Sequence, residues 1–220
     1  MTNQDSLAEA RRMIVEYSLK MLKDDLTRGA LGNISVLVGE RLLAVSPSGV
    51  DYDQMSPQDV PLVDFDGRIV EGALRPSSET QMHISIYERR PDVRAIVHTH
   101  SPYATAFSIN GEPIPAVHYV VGRLGGDVIP VTSRYELFGS PELAQATVDA
   151  LGASYSGVLL RNHGAVAIGS TLASAYSGAL NIESMAQLAL LSRLVGQPNV
   201  LSAAQVDEAI QQFKNHGQKK

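Results

Sequence analysis

Short apolar runs in the middle of the chain, set between longer amphipathic segments, predict an α/β or α+β sandwich. The central runs are three to six residues long and are separated by glycine, proline and Asp-Gly turns, the punctuation of strands. The outer segments repeat their apolar residues at helical spacing. The chain has 220 residues, 44% of them hydrophobic. It shows no linker, repeat or low-complexity stretch, so residues 1–220 read as a single domain with a sizeable core.

Each element has its own signal. Residues Ser6 to about Leu26 read as an amphipathic helix with Leu7, Ile14, Tyr17, Leu19, Met21 and Leu22 on its apolar side. Gly29 to Asn33 breaks that pattern. Strands are expected over Ile34–Val38, Leu42–Val45 and Val60–Val63, and Asp66-Gly67 is a hairpin turn signal. A helix is expected from near Ser77 to about Tyr87, stopped by Pro91, and Val93 to His98 is strand-like. Ser140-Pro141-Glu142 combines an N-cap with proline at the first helical position, and Gly152 closes that helix. Val158–Leu160 and Ala165–Ile168 read as two strands flanking a turn at His163. An Ala- and Leu-rich helix covers about Leu172 to Leu194. Ser202 and Gln205 form a capping box, Val206, Ile210 and Phe213 share the helical face that follows, and Gly217 ends it.

Composition removes several functional classes. The net charge is -5, with a pI of about 5.6, which argues against a general nucleic-acid binder. There is no cysteine, so a metal must be held by histidine and carboxylate groups, without thiolates. Met1-Thr2-Asn3-Gln4-Asp5 has no basic region leading into an apolar stretch, and no apolar run reaches the roughly 20 residues of a membrane span. The expectation is a cytoplasmic protein without a membrane partner.

His98-Thr99-His100 is the most informative motif. Residues i and i+2 of a strand point to one face, so both imidazoles can aim at one point. His163, in Arg161-Asn162-His163-Gly164, can supply a third nitrogen, with Gly164 permitting a sharp turn. Two buried histidines satisfied by backbone bonds would show the same His-x-His pattern. Catalytic zinc sites use about three protein ligands and keep a position open for water or substrate. Glu79, in Pro76-Ser77-Ser78-Glu79, falls in the first turn of the expected helix. It reads as an acid/base candidate or as a carboxylate favoured by the helix dipole. Ser77 and Ser78 read as N-caps or as an anion site at a helix N-terminus. The turns Gly29-Ala30-Leu31-Gly32-Asn33 and Ser46-Pro47-Ser48-Gly49 could add further amides and hydroxyls.

Together these motifs resemble the class II aldolase/adducin family, and especially its L-fuculose-1-phosphate aldolase branch. The resemblance runs through Gly32-Asn33-Ile34-Ser35, Ser46-Pro47-Ser48-Gly49, Pro76-Ser77-Ser78-Glu79, Arg90-Pro91-Asp92-Val93, His98-Thr99-His100, Pro115-Ala116-Val117-His118-Tyr119 and Asn162-His163-Gly164. It implies a three-layer α/β/α sandwich around a largely antiparallel sheet, assembled as a homotetramer with active sites between subunits. By resemblance, His98, His100 and His163 are ligands to one Zn2+ per subunit, and Mn2+, Fe2+ or Co2+ also suit such a set. Glu79 is then the acid/base that also touches the metal. Asn33, Ser48, Gly49, Ser77 and Ser78 bind the substrate phosphate. Tyr119 is a proton donor in the neighbouring subunit's site, although by its own pattern it reads as an amphipathic core tyrosine.

The activity implied is cleavage of a ketose 1-phosphate, L-fuculose 1-phosphate or similar, to dihydroxyacetone phosphate and an aldehyde. A 5-deoxyribulose or 5-methylthioribulose 1-phosphate is the alternative substrate. Epimerase and keto-acid decarboxylase relatives share the scaffold. The epimerases tend to carry Asp where this chain has Glu79, and a decarboxylase needs a cation, for which Arg28, Arg123 and Arg161 are candidates. The structural adducin branch lacks the metal ligands that this chain keeps. Two departures stand out: Ala30 replaces a hydroxyl residue of the phosphate turn, and His216 falls where the branch has a C-terminal tyrosine.

Overall fold

Alternation along the central strands decides the architecture. The computed structural model describes residues 3–215. Its helices are α1 (Asn3–Lys23), α2 (Thr80–Arg89), α3 (Pro102–Asn110), α4 (Pro141–Leu151), α5 (Leu172–Val195) and α6 (Ala203–Asn215). Its strands are β1 (Asn33–Leu37), β2 (Leu42–Val45), β3 (Leu62–Asp64), β4 (Ile69–Glu71), β5 (Ala95–Thr99), β6 (Ile114–Pro115), β7 (Val128–Ile129), β8 (Gly157–Leu160) and β9 (Gly164–Gly169). Seven strands form one sheet in the order β4-β3-β2-β1-β5-β9-β8, with antiparallel neighbours throughout. β6 and β7 make a separate antiparallel ribbon.

Ala95 and Val97 of β5 join Ala165 and Ala167 of β9 in a core covered by α1, α3 and α5. Ile96, Val166 and Ile168 face the other way, against α2 and α4. The period of two thus divides the interior into two cores, one on each face, and the result is the expected three-layer α/β/α sandwich. No helix among the described residues is long and apolar enough to cross a membrane.

Several expectations shift. α1 ends at Lys23, because Asp25 takes a left-handed φ of 54° and Leu26 folds back to donate its N–H to the Met21 carbonyl at 2.9 Å. Of the expected apolar side, Leu7, Ile14 and Met21 are buried and Tyr17 and Leu22 pack part-buried against the core, whereas Leu19 is exposed and Ala10 and Ser18 join the buried stripe. β3 begins at Leu62, after a 3-10 turn over Pro57–Asp59, and β4 completes the hairpin that Asp66-Gly67 signalled. α2 begins at Thr80 rather than near Ser77. A bridge between Pro47 and Pro76 and the Ser77 N–H donated to the Ser46 carbonyl at 3.0 Å hold the preceding residues extended. Helix α3 is not among the expected elements, although Ser101-Pro102 and the left-handed Gly111 carry the same start and stop signature as α4. The caps at Ser140 and at Ser202–Gln205 form as expected, with Leu143 N–H donating to Ser140 Oγ at 3.1 Å and Ser202 N–H to Gln205 Oε1 at 2.9 Å. His216 and Gly217 lie outside the described residues.

Candidate active site

His98 sits near the end of β5, paired across the sheet with Asn33 on β1 and Val166 on β9, and is fully buried. Its Nδ1 donates to the Ala165 carbonyl at 2.9 Å. A carbonyl only accepts, so that bond keeps a proton on Nδ1 and turns Nε2 toward the cluster. His100 lies just past β5, with its Nε2 3.0 Å from His98 Nε2. His163 follows Asn162, which takes a left-handed φ of 55° in the turn between β8 and β9. The three ring centroids are 4.8, 4.8 and 4.9 Å apart, with the planes steeply inclined to one another. One nitrogen from each ring lies within 4.8 Å of the others.

Two glycines make this convergence possible. A Cβ on Gly32 would stand 2.5 Å from the His98 carbonyl oxygen, so the turn before β1 packs directly on the strand that carries His98. A Cβ on Gly164 would stand 2.2 Å from the Thr99 carbonyl oxygen and 3.4 Å from His100 Cδ2. Gly164 is therefore required for close approach, and the left-handed residue of the turn is Asn162, which corrects the expectation that Gly164 makes the turn.

Glu79 is buried at the N-cap position of α2, one residue before the helix, and its side chain makes no cap bond. Instead it reaches into the cluster. Oε2 accepts from Asn33 Nδ2 at 2.9 Å and lies 3.1 Å from His98 Nε2. Oε1 lies 3.5 Å from His163 Nε2 and has no hydrogen-bond partner although it is buried. Burial pushes the Glu79 carboxyl up, but the neighbouring His98 and His163, with hydrogen bonds from His98 and Asn33, hold it well below the usual carboxylate range. Burial lowers His98 as well, and the Glu79 carboxylate outweighs it and raises that ring. His100 and His163 are pushed down to about 3 and about 4, first by burial and then by His98. Both rings are thus in the neutral form that ligates metals.

These residues fit a divalent ion. Three imidazole nitrogens converge, one is oriented from behind by a backbone carbonyl, and an ionised oxygen is buried without a partner. Such an oxygen costs on the order of 1–3 kcal/mol or more, which a cation beside it would offset.

The cluster forms one wall of a cavity of about 330 Å³. Asn33, Ser48, Gly49, Ser77, Ser78, Glu79, His100 and His163 all line it, and so does Ala30. His98 stands behind them. The Ser77 hydroxyl accepts from Glu79 N–H at 3.2 Å, which leaves its own proton free to donate. Leu31, Gly32, Pro47 and Asn162, all within motifs the sequence singled out, also line it, and sequence reasoning missed Tyr135 and Phe138, which complete the lining. Tyr135 and Phe138 are exposed aromatics outside any helix or strand, and no periodicity marks them. Tyr119 is 51% exposed and packs against His118 and Phe213, away from its own chain's cavity. Of the arginine candidates, Arg161 donates to the Ser133 and Gly111 carbonyls, and Arg123 lies over the Phe213 ring.

Residues 12–190 match the family model described as class II aldolase and adducin N-terminal domain. The chain is 38% identical over 213 residues to a 5-deoxy-D-ribulose 1-phosphate aldolase of Bacillus thuringiensis serovar kurstaki, across 96% of this chain and 99% of that one. It is 35% identical over 207 residues to an L-fuculose phosphate aldolase of Escherichia coli O6:H1, across 94% of each. The solved structure of an L-fuculose 1-phosphate aldolase superposes with a TM-score of 0.89 at 34% identity, covering 94% of this chain and 96% of that one. This chain therefore belongs to the class II aldolase and adducin N-terminal domain family, as an enzyme of the lyase class.

Proposed function

We propose that this protein is a zinc-dependent aldolase that cleaves a short deoxy ketose 1-phosphate to dihydroxyacetone phosphate and an aldehyde. The observation that carries the reading is one cavity with two chemically distinct walls. His100, His163 and Glu79 form one, with His98 behind, and the hydroxyls of Ser48, Ser77 and Ser78 form the other, beside the N-terminus of α2. The second wall suits a phosphate, since a helix N-terminus and converging hydroxyls favour an anion. Asn33 and Gly49 would close that subsite. Leu31, Tyr135 and Phe138 add an apolar border. L-Fuculose 1-phosphate and 5-deoxyribulose 1-phosphate both end in a methyl group at the aldehyde side, which matches such a border.

In cleavage the C4 hydroxyl loses its proton, the C3–C4 bond opens toward the C2 carbonyl, and C3 takes up a proton. A Zn2+ ion held by His98, His100 and His163 would supply Lewis acidity for the negative charge that develops. Glu79, ionised at rest, takes up a proton equivalent to the one released from the C4 hydroxyl and delivers it to C3, and it removes that proton in the condensation direction. Such a group contributes on the order of 10²–10⁴-fold. Asn33 holds the Glu79 carboxylate in place through Oε2. Tyr119 of the partner subunit handles the aldehyde oxygen, which fits its exposure away from its own cavity and requires the sites of a homotetramer to be shared. No lysine nucleophile is needed.

The test is a retro-aldol assay on metal-analysed protein, with both sugar phosphates side by side and dihydroxyacetone phosphate as readout. Release that chelation abolishes and Zn2+ restores supports the reading. Metal-loaded protein that releases nothing from either refutes it.

A further inference from the structure

His98 and His163 are held by the sheet itself, one within β5 and the other in the turn that joins β8 to β9. His100 has less support. It lies on the two-residue link between β5 and α3, with its N–H donated to the Leu26 carbonyl at 3.1 Å. The next constraint along the chain is the first turn of α3, which begins with open N–H groups. Ser101 occupies the cap position in an extended conformation, yet its hydroxyl makes no cap bond and is buried without a partner. Pro102 has no N–H to satisfy. The two N–H groups that follow are taken by a residue 79 and 80 positions away. Tyr103 N–H donates to Glu183 Oε1 at 2.9 Å, and Ala104 N–H donates to Glu183 Oε2 at 2.8 Å.

We propose that Glu183 is a positioning residue for the metal centre, clamping the start of α3 to α5 and thereby holding His100 against His98 and His163. Both carboxylate oxygens are used, so the clamp sets direction as well as distance. The inference rests on the metal-dependent reading above. It adds a residue from the layer behind the sheet, which contributes nothing to the lining of the cavity.

The test is Co2+ titration of metal-free protein, followed by the ligand-field absorption bands, with melting temperature measured in parallel. Glu183→Gln keeps the size of the side chain and one accepting oxygen, and leaves one N–H open. The expected result is a loss of about 10–100-fold in Co2+ affinity, the range for groups that orient metal ligands, with altered absorption bands. Ser140→Ala is the comparison, because it removes an N-cap from α4 on the opposite layer. It should lower the melting temperature with Co2+ affinity and spectrum unchanged. A Glu183→Gln protein that loses melting temperature as Ser140→Ala does, with parental Co2+ affinity and spectrum, overturns the proposal. Should Glu183→Gln fail to fold, Glu183→Asp decides, since it keeps the charge but draws the clamp in by one methylene. Shifted bands support the role, and parental bands and affinity overturn it. Parental protein that takes up no Co2+ refutes the metal-dependent reading itself, and the positioning role with it.

Discussion

Gly164→Ala separates the geometry of the histidine cluster from its chemistry, because the substitution removes no ligand. Gly164 does not have a left-handed φ, so alanine meets no conformational penalty there and acts by volume alone. The new Cβ would stand 2.2 Å from the Thr99 carbonyl oxygen, whereas real Cβ contacts stay above 3.0 Å. That oxygen is backbone and cannot rotate away, so β9 and β5 must separate locally by about 0.8 Å. The displaced groups are the chain neighbours of His100 and His163, and the new Cβ would also stand 3.4 Å from His100 Cδ2. A site needs its groups within about 0.5 Å of the productive geometry, and a misplacement near 1 Å can cost about 10²-fold. Overpacking of this kind costs about 1–3 kcal/mol of stability, or about 2–4 °C in Tm for each kcal/mol in a chain of this size. The expected outcome is a folded protein with slightly lower Tm, metal affinity or turnover reduced on the order of 10²-fold, and all three histidines in place. Metal content by elemental analysis, Co2+ titration and thermal melting measure these quantities. Parental metal affinity and turnover in a folded Gly164→Ala protein would refute the claim that this close approach sets the cluster.

His100→Ala should abolish stoichiometric metal binding while the fold persists, since the ring lies past β5 and outside both cores; elemental analysis and circular dichroism check the two halves. Glu79→Gln should retain metal yet slow proton exchange at C3 of dihydroxyacetone phosphate by about 10²–10⁴-fold, and exchange at the parental rate would remove Glu79 from the acid/base role. Tyr119→Phe should keep full metal content and lose turnover, and mixing its subunits with Glu79→Gln subunits should restore activity that neither has alone. No restoration after verified subunit exchange would place Tyr119 outside the shared site. Ser140→Ala should cost about 0.5–2 kcal/mol in a denaturant titration without changing metal binding.

Much of the site was legible because its members are local in sequence. His98 and His100 share a strand spacing, and Glu79 stands at a helix start beside two serines. The same holds for the strands of the central sheet, whose alternation is a property of a few consecutive residues. Tyr135 and Phe138 left no such mark, because a loop residue reaches the cavity only after β7, β8 and α4 have positioned the segment between them. The expected first-turn position of Glu79 missed by one residue for a similar reason. The helix start depends on Pro76 bridging to Pro47, a contact between separate parts of the chain.

By itself the sequence determined the residue types of the candidate metal centre, the two-faced strands and the helix caps at Ser140 and Ser202, since periodicity and capping act over a few residues. Only the tertiary structure decided which nitrogens meet, that Asn33 holds Glu79, that Gly164 is needed for room rather than for a turn, and that Glu183 of α5 caps the neighbouring helix α3. These depend on distances of an ångström or less between strands and helices far apart in the chain, and such distances are set by how the layers pack.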